Sequence, residues 1–317
     1  MIRLGISGCG AVTQLYYAPA LRILGDEVRL VGAFDPDEQA AERFARPHRA
    51  QIAGSFEELL RLDLDLVVVA SPPRFHAEQT CAALNAGRAV LCEKPMAMST
   101  QEAEQMVRTA ASTARPLGIG MVRRLLPQAA LIRSLLQAHA LGTLRNIDIF
   151  EGGPFDWPIP SPSWFSADQG GGILQDIGVH VLDLLRWWLG EPSDVRCFDD
   201  ALGGVSANCL LHLEFGDAQI SARLSRDWYR PNGYRITGDA GWIHWPIHER
   251  DELEGELHGR RVGITPSGPC SYPDAIAAQI RAVAQSEPVV DGAEGLKTLD
   301  LLQRCREGRN RMSMEWL

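Results

Sequence analysis

Short apolar runs alternate with helix-length amphipathic stretches along the first third of the chain. The run at 65–70 is apolar almost throughout, which is typical of a parallel strand that is covered on both faces. Helical patterns separate this run from its neighbours, so strands and helices follow each other in turn. The alternation predicts an α/β domain over residues 1–121, a doubly wound parallel sheet with strands at 2–7, 29–34, 65–70, 89–93 and 117–122.

The pattern changes after residue 122, where apolar and polar positions alternate one by one. In 206–215 the odd-numbered positions are apolar and share one face, and 218–225 alternates again. Gly216 and Asp217 join these runs, which predicts a β-hairpin. Further strands are predicted at 143–150, 234–236 and 242–245, and helices at 127–139, 273–285 and 293–306. Residues 122–317 therefore predict an α+β domain with a large, mostly antiparallel open sheet, one face of which packs on helices.

Composition and charge narrow the class of protein. A length of 317 residues fits two domains better than one core. The apolar fraction of 45% and the charged fraction of 22% are those of an ordinary globular protein. The net charge of −9 argues against non-specific nucleic-acid binding and against a polybasic contact with a membrane.

Three features of the sequence predict a cytoplasmic protein. No apolar run has the length that crosses a membrane, and Met1 leads directly into a strand pattern without a signal-peptide layout. The seven cysteines are odd in number, widely spread and never spaced as Cys-x-x-Cys. We interpret them as reduced thiols that form no metal-binding framework.

A glycine-rich turn stands between the first predicted strand and a helical pattern, with the sequence Gly8-Cys9-Gly10-Ala11-Val12-Thr13. In such a turn the first glycine permits the bend, and the second lets the backbone approach a pyrophosphate at the helix N-terminus. A glycine pair alone often forms only a turn, but the strand and helix on either side supply the required context. We therefore predict dinucleotide binding by Gly8, Gly10, Ala11 and Val12. Thr13 replaces the usual third glycine or alanine, so slightly looser packing is expected there.

The second predicted strand ends in an acidic turn, Asp35-Pro36-Asp37. A carboxylate at this place binds the adenosine ribose hydroxyls in dinucleotide-binding domains. Asp37 also suits a helix N-cap, and both roles are compatible. A 2′-phosphate would meet a like charge at Asp35, and no Arg or Lys follows before Arg43. The turn therefore predicts NAD in preference to NADP.

The strand pattern at 89–93 leads into Glu93-Lys94-Pro95. Pro95 cannot donate a ladder hydrogen bond, so it ends the strand and leaves Lys94 at the carboxyl end. Open α/β sheets bind their ligands at that end of their strands. Lys94 is accordingly a candidate site residue, and the alternative is a surface lysine that merely follows a strand.

A second candidate group follows three glycines at 170–172. Asp176, His180 and Asp183 are spaced to share one helix face, and the flanking positions are so apolar that the helix is expected to be buried. A buried carboxylate and imidazole need partners or a function. Half of a metal site is the alternative, but no third ligand has a recognisable spacing. His244 and His248, on either side of Pro246, are interpreted as surface or sheet residues.

Several short motifs follow one another along the chain at a specific spacing. They are Gly8-x-Gly10, Asp35-Pro36, Ser71-Pro72-x-x-x-His76, Ala83-Leu84-x-Ala86-Gly87, Glu93-Lys94-Pro95, Arg123-Arg124-x-x-Pro127, and Gly170-Gly171-Gly172 followed by Asp176-x-x-x-His180-x-x-Asp183. In this order they resemble the Gfo/Idh/MocA oxidoreductases, named for glucose–fructose oxidoreductase and inositol dehydrogenase. The resemblance covers nearly the whole chain. It implies an N-terminal Rossmann domain and a C-terminal domain whose sheet forms homodimers or homotetramers.

The resemblance also implies roles for individual residues. Lys94 would lie between nicotinamide and substrate, with Asp176 and His180 completing the catalytic group, and Glu93 near the nicotinamide ribose. The implied lining of the cofactor cleft is Ser71, Pro72 and His76, and that of the substrate pocket includes Arg123 and Trp164. The loop at 155–166 is rich in proline and tryptophan, and we expect it to shape specificity.

The implied function is NAD(P)-dependent hydride transfer between nicotinamide and a secondary alcohol or ketone of a polyol, sugar or sugar derivative. The hydroxyl proton needs a base. Lysine would need a pKa near 7 instead of about 10.4, whereas histidine starts at about 6.5, so we predict His180 as the acceptor and a charged Lys94. The resemblance leaves Lys94 as the alternative base. Asp176 would orient the base. The alternatives are a lyase or glycosidase that oxidises its substrate transiently with bound NAD, and a non-catalytic ligand sensor.

Overall fold

The computed structural model describes residues 1–155, 162–201, 204–269 and 271–313. Its first sheet has six strands that all pair in parallel, in the order β3-β2-β1-β4-β5-β6. This is the predicted doubly wound sheet, and the order reverses between β1 and β4, where such sheets bind ligands. The strands are β1 (Ile2–Ser7), β2 (Val28–Phe34), β3 (Gln51–Ile52), β4 (Leu66–Val69), β5 (Ala89–Cys92) and β6 (Leu117–Ile119).

Helices connect these strands, and side chains fix where the helices begin. The Asp37 carboxylate accepts a hydrogen bond from the Gln39 N–H, which confirms the predicted cap, and the Ser99 hydroxyl accepts one from the Glu102 N–H. The helices of this part are α1 (Ala18–Leu24), α2 (Glu38–Ala45), α3 (Phe56–Arg61), α4 (His76–Asn85) and α5 (Thr100–Thr113). A wider π turn, Thr13–Tyr17, precedes α1.

The second sheet has nine strands in the order β14-β13-β12-β11-β7-β10-β9-β8-β15. Only the pairs β7–β10 and β8–β15 are parallel, so the sheet is mostly antiparallel as predicted. The predicted hairpin is confirmed, with Phe215 opposite Ala218. The strands are β7 (Leu144–Gly152), β8 (Asp194–Asp199), β9 (Asn208–Phe215), β10 (Ala218–Ser225), β11 (Gly233–Gly238), β12 (Gly241–Trp245), β13 (Leu253–Leu257), β14 (Arg260–Ile264) and β15 (Asn310–Arg311).

Four helices complete the described chain: α6 (Pro127–Gln137), α7 (Val179–Leu189), α8 (Tyr272–Ala284) and α9 (Gly292–Glu307). Leu184 and Leu185 of α7 are buried in one cluster with the inward-facing residues of β9 and β10. The opposite face of the second sheet carries the polar members of each alternating strand, such as Asp148 and Arg235. One face is therefore covered by helices, as the alternation predicts.

Helix α8 packs on the first sheet although it lies near the end of the chain. Its residues Ile276, Ile280 and Val283 are buried in the same cluster as Val68 and Leu91 of β4 and β5. Helices α1 and α2 belong to this cluster too, whereas α3, α4 and α5 pack with the cluster on the other face. The first sheet is thus closed on one face by a helix from the C-terminal part.

The described cysteines are all unpaired. Cys9, Cys81, Cys92, Cys197, Cys209 and Cys305 are free and buried, and Cys270 lies outside the described residues. Within the described ranges, none of the helices has the length and apolarity needed to cross a membrane.

Candidate active site

The glycine turn lies at the carboxyl end of β1, beside the ends of β2 and β4. Gly8 has a φ of 94°, and a Cβ there would lie 2.3 Å from the Ala70 carbonyl oxygen, so this position requires glycine. Gly10 is different, because a Cβ there would meet no atom within 4 Å. The backbone at Gly10 faces open space, which leaves room for a group to approach it.

Helical residues begin immediately after Gly10, with Ala11 and Val12 in the first turn. Thr13 is buried, and its hydroxyl donates a hydrogen bond of 2.7 Å to the Gly8 carbonyl oxygen. A π turn starts at this residue. The hydroxyl bond ties the start of the helix to the bend.

Asp35 joins the two turns that follow β1 and β2. Its Oδ2 accepts the Cys9 N–H at 2.7 Å, and its Oδ1 accepts the Asp37 N–H at 2.9 Å. The side chain is half-buried. These bonds hold the carboxylate at the lip of the glycine turn, where the sequence places a ribose-binding group.

Ser71, Pro72 and His76 follow β4. The Ser71 hydroxyl donates to Gln79 Oε1 at 2.9 Å, and the Ser7 hydroxyl donates to the same atom at 2.9 Å. His76 is buried, with its ring nitrogens 2.7 Å from the Ser71 carbonyl oxygen and 2.9 Å from that of Pro95. Burial, opposed by these two bonds, lowers the pKa of His76. His76 therefore ties the turn after β4 to the turn after β5 from beneath the surface.

Glu93 is bound by a tyrosine that the sequence pattern does not single out. The hydroxyl of the fully buried Tyr17 donates to Glu93 Oε1 at 2.7 Å, and the Lys94 N–H donates to Oε2 at 3.1 Å. Burial raises the pKa of Glu93, while Tyr17 and Lys94 oppose the rise. The carboxylate is thereby fixed beside Lys94.

Lys94 and Asp176 meet across the two halves of the chain. Lys94 Nζ donates to Asp176 Oδ1 and to the Asp176 carbonyl oxygen, both at 2.8 Å, and Arg226 forms an ion pair with Asp176 Oδ2. Burial is the main cause that lowers the pKa of Lys94 to about 7, with Arg123 and Arg226 adding to the fall and Glu93 opposing it. An amine with this pKa exchanges its proton at neutral pH.

His180 lies near Lys94 but forms no hydrogen bond with Asp176 among the described residues. Asp176 belongs to a π turn, Leu174–Gly178, so it is not one regular α-helical turn before His180. His180 is 7% exposed, and its buried Nδ1 has no hydrogen-bond partner in the part of the chain that the structure describes. Burial, then the charges of Arg123, Lys94 and His248, lowers its pKa well below 6.5.

Arg123 lies in a buried network. Its Nη1 donates to Glu151 Oε1 at 2.5 Å and its Nε to the Tyr272 hydroxyl at 3.1 Å, while the Tyr234 hydroxyl also donates to Glu151. His248 lies at the surface as predicted, with its side chain 40% exposed, and its Nε2 is 3.9 Å from the second oxygen of Glu151. Arg123 and His248 hold the pKa of the buried Glu151 at about 2 despite its burial.

Asp183 pairs with Arg124, and Trp164 contacts Gly172 and Phe155. Asp183 accepts two hydrogen bonds from Arg124, at 2.7 and 2.9 Å, and is fully enclosed, which makes it part of a buried ion pair. The Trp164 carbonyl oxygen accepts the Gly172 N–H at 3.2 Å, and its ring packs edge-on against Phe155 at 5.1 Å. Trp164 is thereby tied to the segment that carries Asp176. The part of the expected specificity loop at 156–161 lies outside the described residues.

Comparison with known proteins identifies the family. The profile described as "Oxidoreductase family, NAD-binding Rossmann fold" matches residues 2–121. That of the GFO/IDH/MocA C-terminal domain matches residues 129–244. The chain belongs to the Gfo/Idh/MocA family. This membership agrees with the predicted resemblance, and NAD(P) binding follows for the first of the two matched regions.

Individual relatives span different shares of the chain. Glucose-6-phosphate 3-dehydrogenase of Bacillus subtilis is 31% identical over 61% of this chain, but over only 55% of its own length. The 1,5-anhydro-D-fructose reductase of Ensifer adhaerens is 31% identical over 76% of this chain and 74% of its own. The 3-ketoreductase KijD10 of Actinomadura kijaniata, solved with NADP and TDP-benzene, shares 22% identity and the fold, with a TM-score of 0.86 and 99% of each chain covered.

Sequence patterns do not predict several residues of this site. Arg226, Glu151 and Tyr272 come from a loop, a strand end and a helix start that lie far apart in the sequence, and no motif spacing links them to Lys94. The only available signal for Glu151 was its place at the end of a strand. Among the described residues, no three His, Cys, Asp or Glu side chains converge as a metal site.

Proposed function

We propose that this chain is an NAD(P)-dependent oxidoreductase that transfers a hydride between nicotinamide and a secondary alcohol or ketone of a polyol, sugar or sugar derivative. The observation that carries the proposal is Lys94. Its amine is held by Asp176 at the carboxyl end of β5, in the same sheet whose β1 leads into the glycine turn. When bound, the nicotinamide supplies the hydride acceptor or donor.

We assign the proton transfer to Lys94, in place of the His180 predicted from ordinary pKa values. A charged lysine has three N–H donors, and Asp176 takes two of them. The neutral amine keeps both bonds and has one lone pair for the substrate hydroxyl proton. In oxidation the C–H hydride leaves the substrate carbon while the O–H proton passes to Nζ. Neutral His180 then serves as a hydrogen-bond partner of the reacting oxygen.

The cofactor we propose is NAD, with NADP disfavoured. Gly8, Gly10, Ala11 and Val12 would hold the pyrophosphate, and Asp35 would accept from the two ribose hydroxyls. The structure supports this fit through the open space above Gly10 and the half-buried Asp35 carboxylate beside it. Glu93, Ser71 and Pro72 would border the nicotinamide half, and His76 would support that border from below.

We further propose a homodimer or homotetramer in the cytoplasm. The outer face of the second sheet presents a polar row in which Asp148 pairs with Ser221 and Arg235, and Arg235 pairs with His244. Charges of both signs on one face suit contact with a second copy of the same face. The free thiols described above support a reducing compartment.

The test is a spectrophotometric screen for NADH formation across cyclitols, aldoses and sugar acids, with Lys94→Ala as the control. We expect substrate-dependent NADH formation by the wild type and its loss in the variant. A higher kcat/KM with NAD than with NADP is expected, and Asp35→Ser should narrow the difference. NAD that stays bound through catalysis without net NADH release would instead support the lyase or glycosidase, and ligand binding without turnover the sensor.

A further inference from the structure

The Asp176 carboxylate is shared between two cations. Oδ1 accepts from Lys94 Nζ, and Oδ2 pairs with Arg226. About a fifth of each side chain is exposed, with values of 16% for Lys94, 22% for Asp176 and 19% for Arg226. The three charged groups therefore form one partly buried chain at the mouth of the site.

Arg226 is held in place by its backbone and its side chain. It follows β10 directly, its N–H donates to the Ala207 carbonyl oxygen at 2.9 Å, and its own carbonyl oxygen accepts the Phe155 N–H at 3.1 Å. The guanidinium lies 5.5 Å from the centre of the Phe155 ring. These contacts fix the guanidinium against Asp176 independently of Lys94.

We propose that Arg226 is a positioning residue, which neutralises Asp176 and so allows Lys94 to lose and regain a proton during the reaction. An ammonium that faces a lone, partly buried carboxylate keeps its proton, because deprotonation would leave that carboxylate unpaired. With Arg226 on Oδ2, the carboxylate stays compensated when Lys94 becomes neutral. The inference rests on the proposed role of Lys94 as the base.

The surroundings of Lys94 favour the same result. Burial and the two guanidinium groups lower the pKa of Lys94, while Glu93 opposes them. Burial lowers the pKa of both His76 and His180. The charged and titratable groups that face Lys94 are Glu93, Asp176, Arg123, Arg226, His76 and His180.

The sequence makes a direct titration practical, because Lys94 and Lys297 are the only lysines in the chain. Lys297 lies on α9, more than half exposed, and serves as an internal reference. Competitive acetylation with acetic anhydride over a pH series, read by mass spectrometry, measures the midpoint at which each amine becomes reactive. The measurement needs no turnover, so it remains decisive even if the substrate screen were to refute the proposed reaction.

In the wild type we expect a Lys94 midpoint near 7. Arg226→Gln should raise it by about one pH unit and leave Lys297 unchanged, because Asp176 then acts on Lys94 alone. In an active enzyme the acidic limb of kcat/KM should move by the same amount, with the high-pH plateau preserved. If Arg226 had only a structural role, its substitution would lower the high-pH plateau of kcat/KM without moving the acidic limb.

Asp176→Asn is the second variant, and it tests whether Arg226 acts on Lys94 through Asp176. It should lower the Lys94 midpoint below the wild-type value. In this background, Arg226→Gln should shift the midpoint by no more than half of the shift that it causes in the wild type. An unchanged Lys94 midpoint in Arg226→Gln would overturn the inference. So would a shift of undiminished size in the Asp176→Asn background, because Arg226 would then act without Asp176.

Discussion

At the scale of single residues, burial gives the two basic side chains of the site different charges at neutral pH. Burial lowers the pKa of both Lys94 and His180, since it disfavours the charged form of each. Lysine starts high and reaches about 7, whereas histidine starts near neutrality and falls well below 6.5. At neutral pH the amine therefore exchanges a proton, and the imidazole stays uncharged.

This difference predicts the pH profile of the oxidation. As pH rises through about 7, neutral Lys94 accumulates, so kcat/KM should rise tenfold per pH unit below that value and level off above it. His180→Asn should keep this limb at a lower rate, and Lys94→Arg should remove it, because arginine stays charged. A limb well below 6.5 that disappears in His180→Asn would assign the base to the histidine instead.

Substitution of Gly10 should separate cofactor binding from folding. At Gly10 a side chain enters open space, so Gly10→Val should fold normally and weaken NAD binding by more than about tenfold, or about 1.4 kcal/mol. Asp176→Ala, the matched control, should keep NAD affinity within a few-fold and lose turnover. Calorimetric titration with NAD measures both. Equal loss of affinity in the two variants would contradict the separation of cofactor binding at the glycine turn from chemistry at Asp176.

Sequence reasoning at this scale identified the residues that carry local signals. Lys94 stands before a proline at a strand end, and Asp37 is followed by a helical pattern, so both could be assigned from their neighbours. The partners of Lys94 could not be assigned in this way. Arg226 reaches Asp176 only because β10 ends beside it, and that depends on how distant segments pack.

At the scale of elements, α8 closes the first sheet, and its contact is tight. A Cβ on Gly118 of β6 would lie 2.4 Å from Val283 Cγ2, so glycine allows the helix to approach the strand. Ile280 is fully buried at the same contact. The stability of the cofactor-binding sheet should therefore depend on a helix that lies at the far end of the chain.

We expect Ile280→Ala to lower the free energy of unfolding by about 2–5 kcal/mol, because it leaves a cavity between α8 and the sheet. Ile23→Ala, at a position that is 44% exposed, is the matched control and should change it by no more than about 0.5 kcal/mol. Urea denaturation followed by circular dichroism measures both. Similar values for the two variants would show that α8 adds little to the sheet.

Elements in which apolar and polar positions repeat with a clear period were predictable, and elements without such a repeat were not. The alternation at 218–225 predicted β10 to the residue. The two-residue strands β3 and β15 are too short to show a period, and π turns precede α1 and α7 where the sequence suggests only helix. Such features follow from packing around the site and have no pattern of their own.

At the scale of the whole molecule, the polar outer face of the second sheet should decide assembly. Asp148→Arg would place a cation beside Arg235 in each copy, so we expect light scattering to show a shift from a multiple of 34.8 kDa to a single chain. Asp217→Arg makes the same charge change at the exposed hairpin tip and should leave the mass unaltered. An unchanged mass for Asp148→Arg would place the contact elsewhere.

The late position of α8 also has a consequence for synthesis on the ribosome. The six strands of the first sheet emerge before residue 120, but the helix that covers Val68 and Leu91 begins at Tyr272. At about 5–20 residues per second, the roughly 150 intervening residues take roughly 8–30 s to translate. During that interval the part of the apolar sheet face that α8 will cover is open to chaperones or to other nascent chains. The cofactor-binding half is thus translated first and completed last.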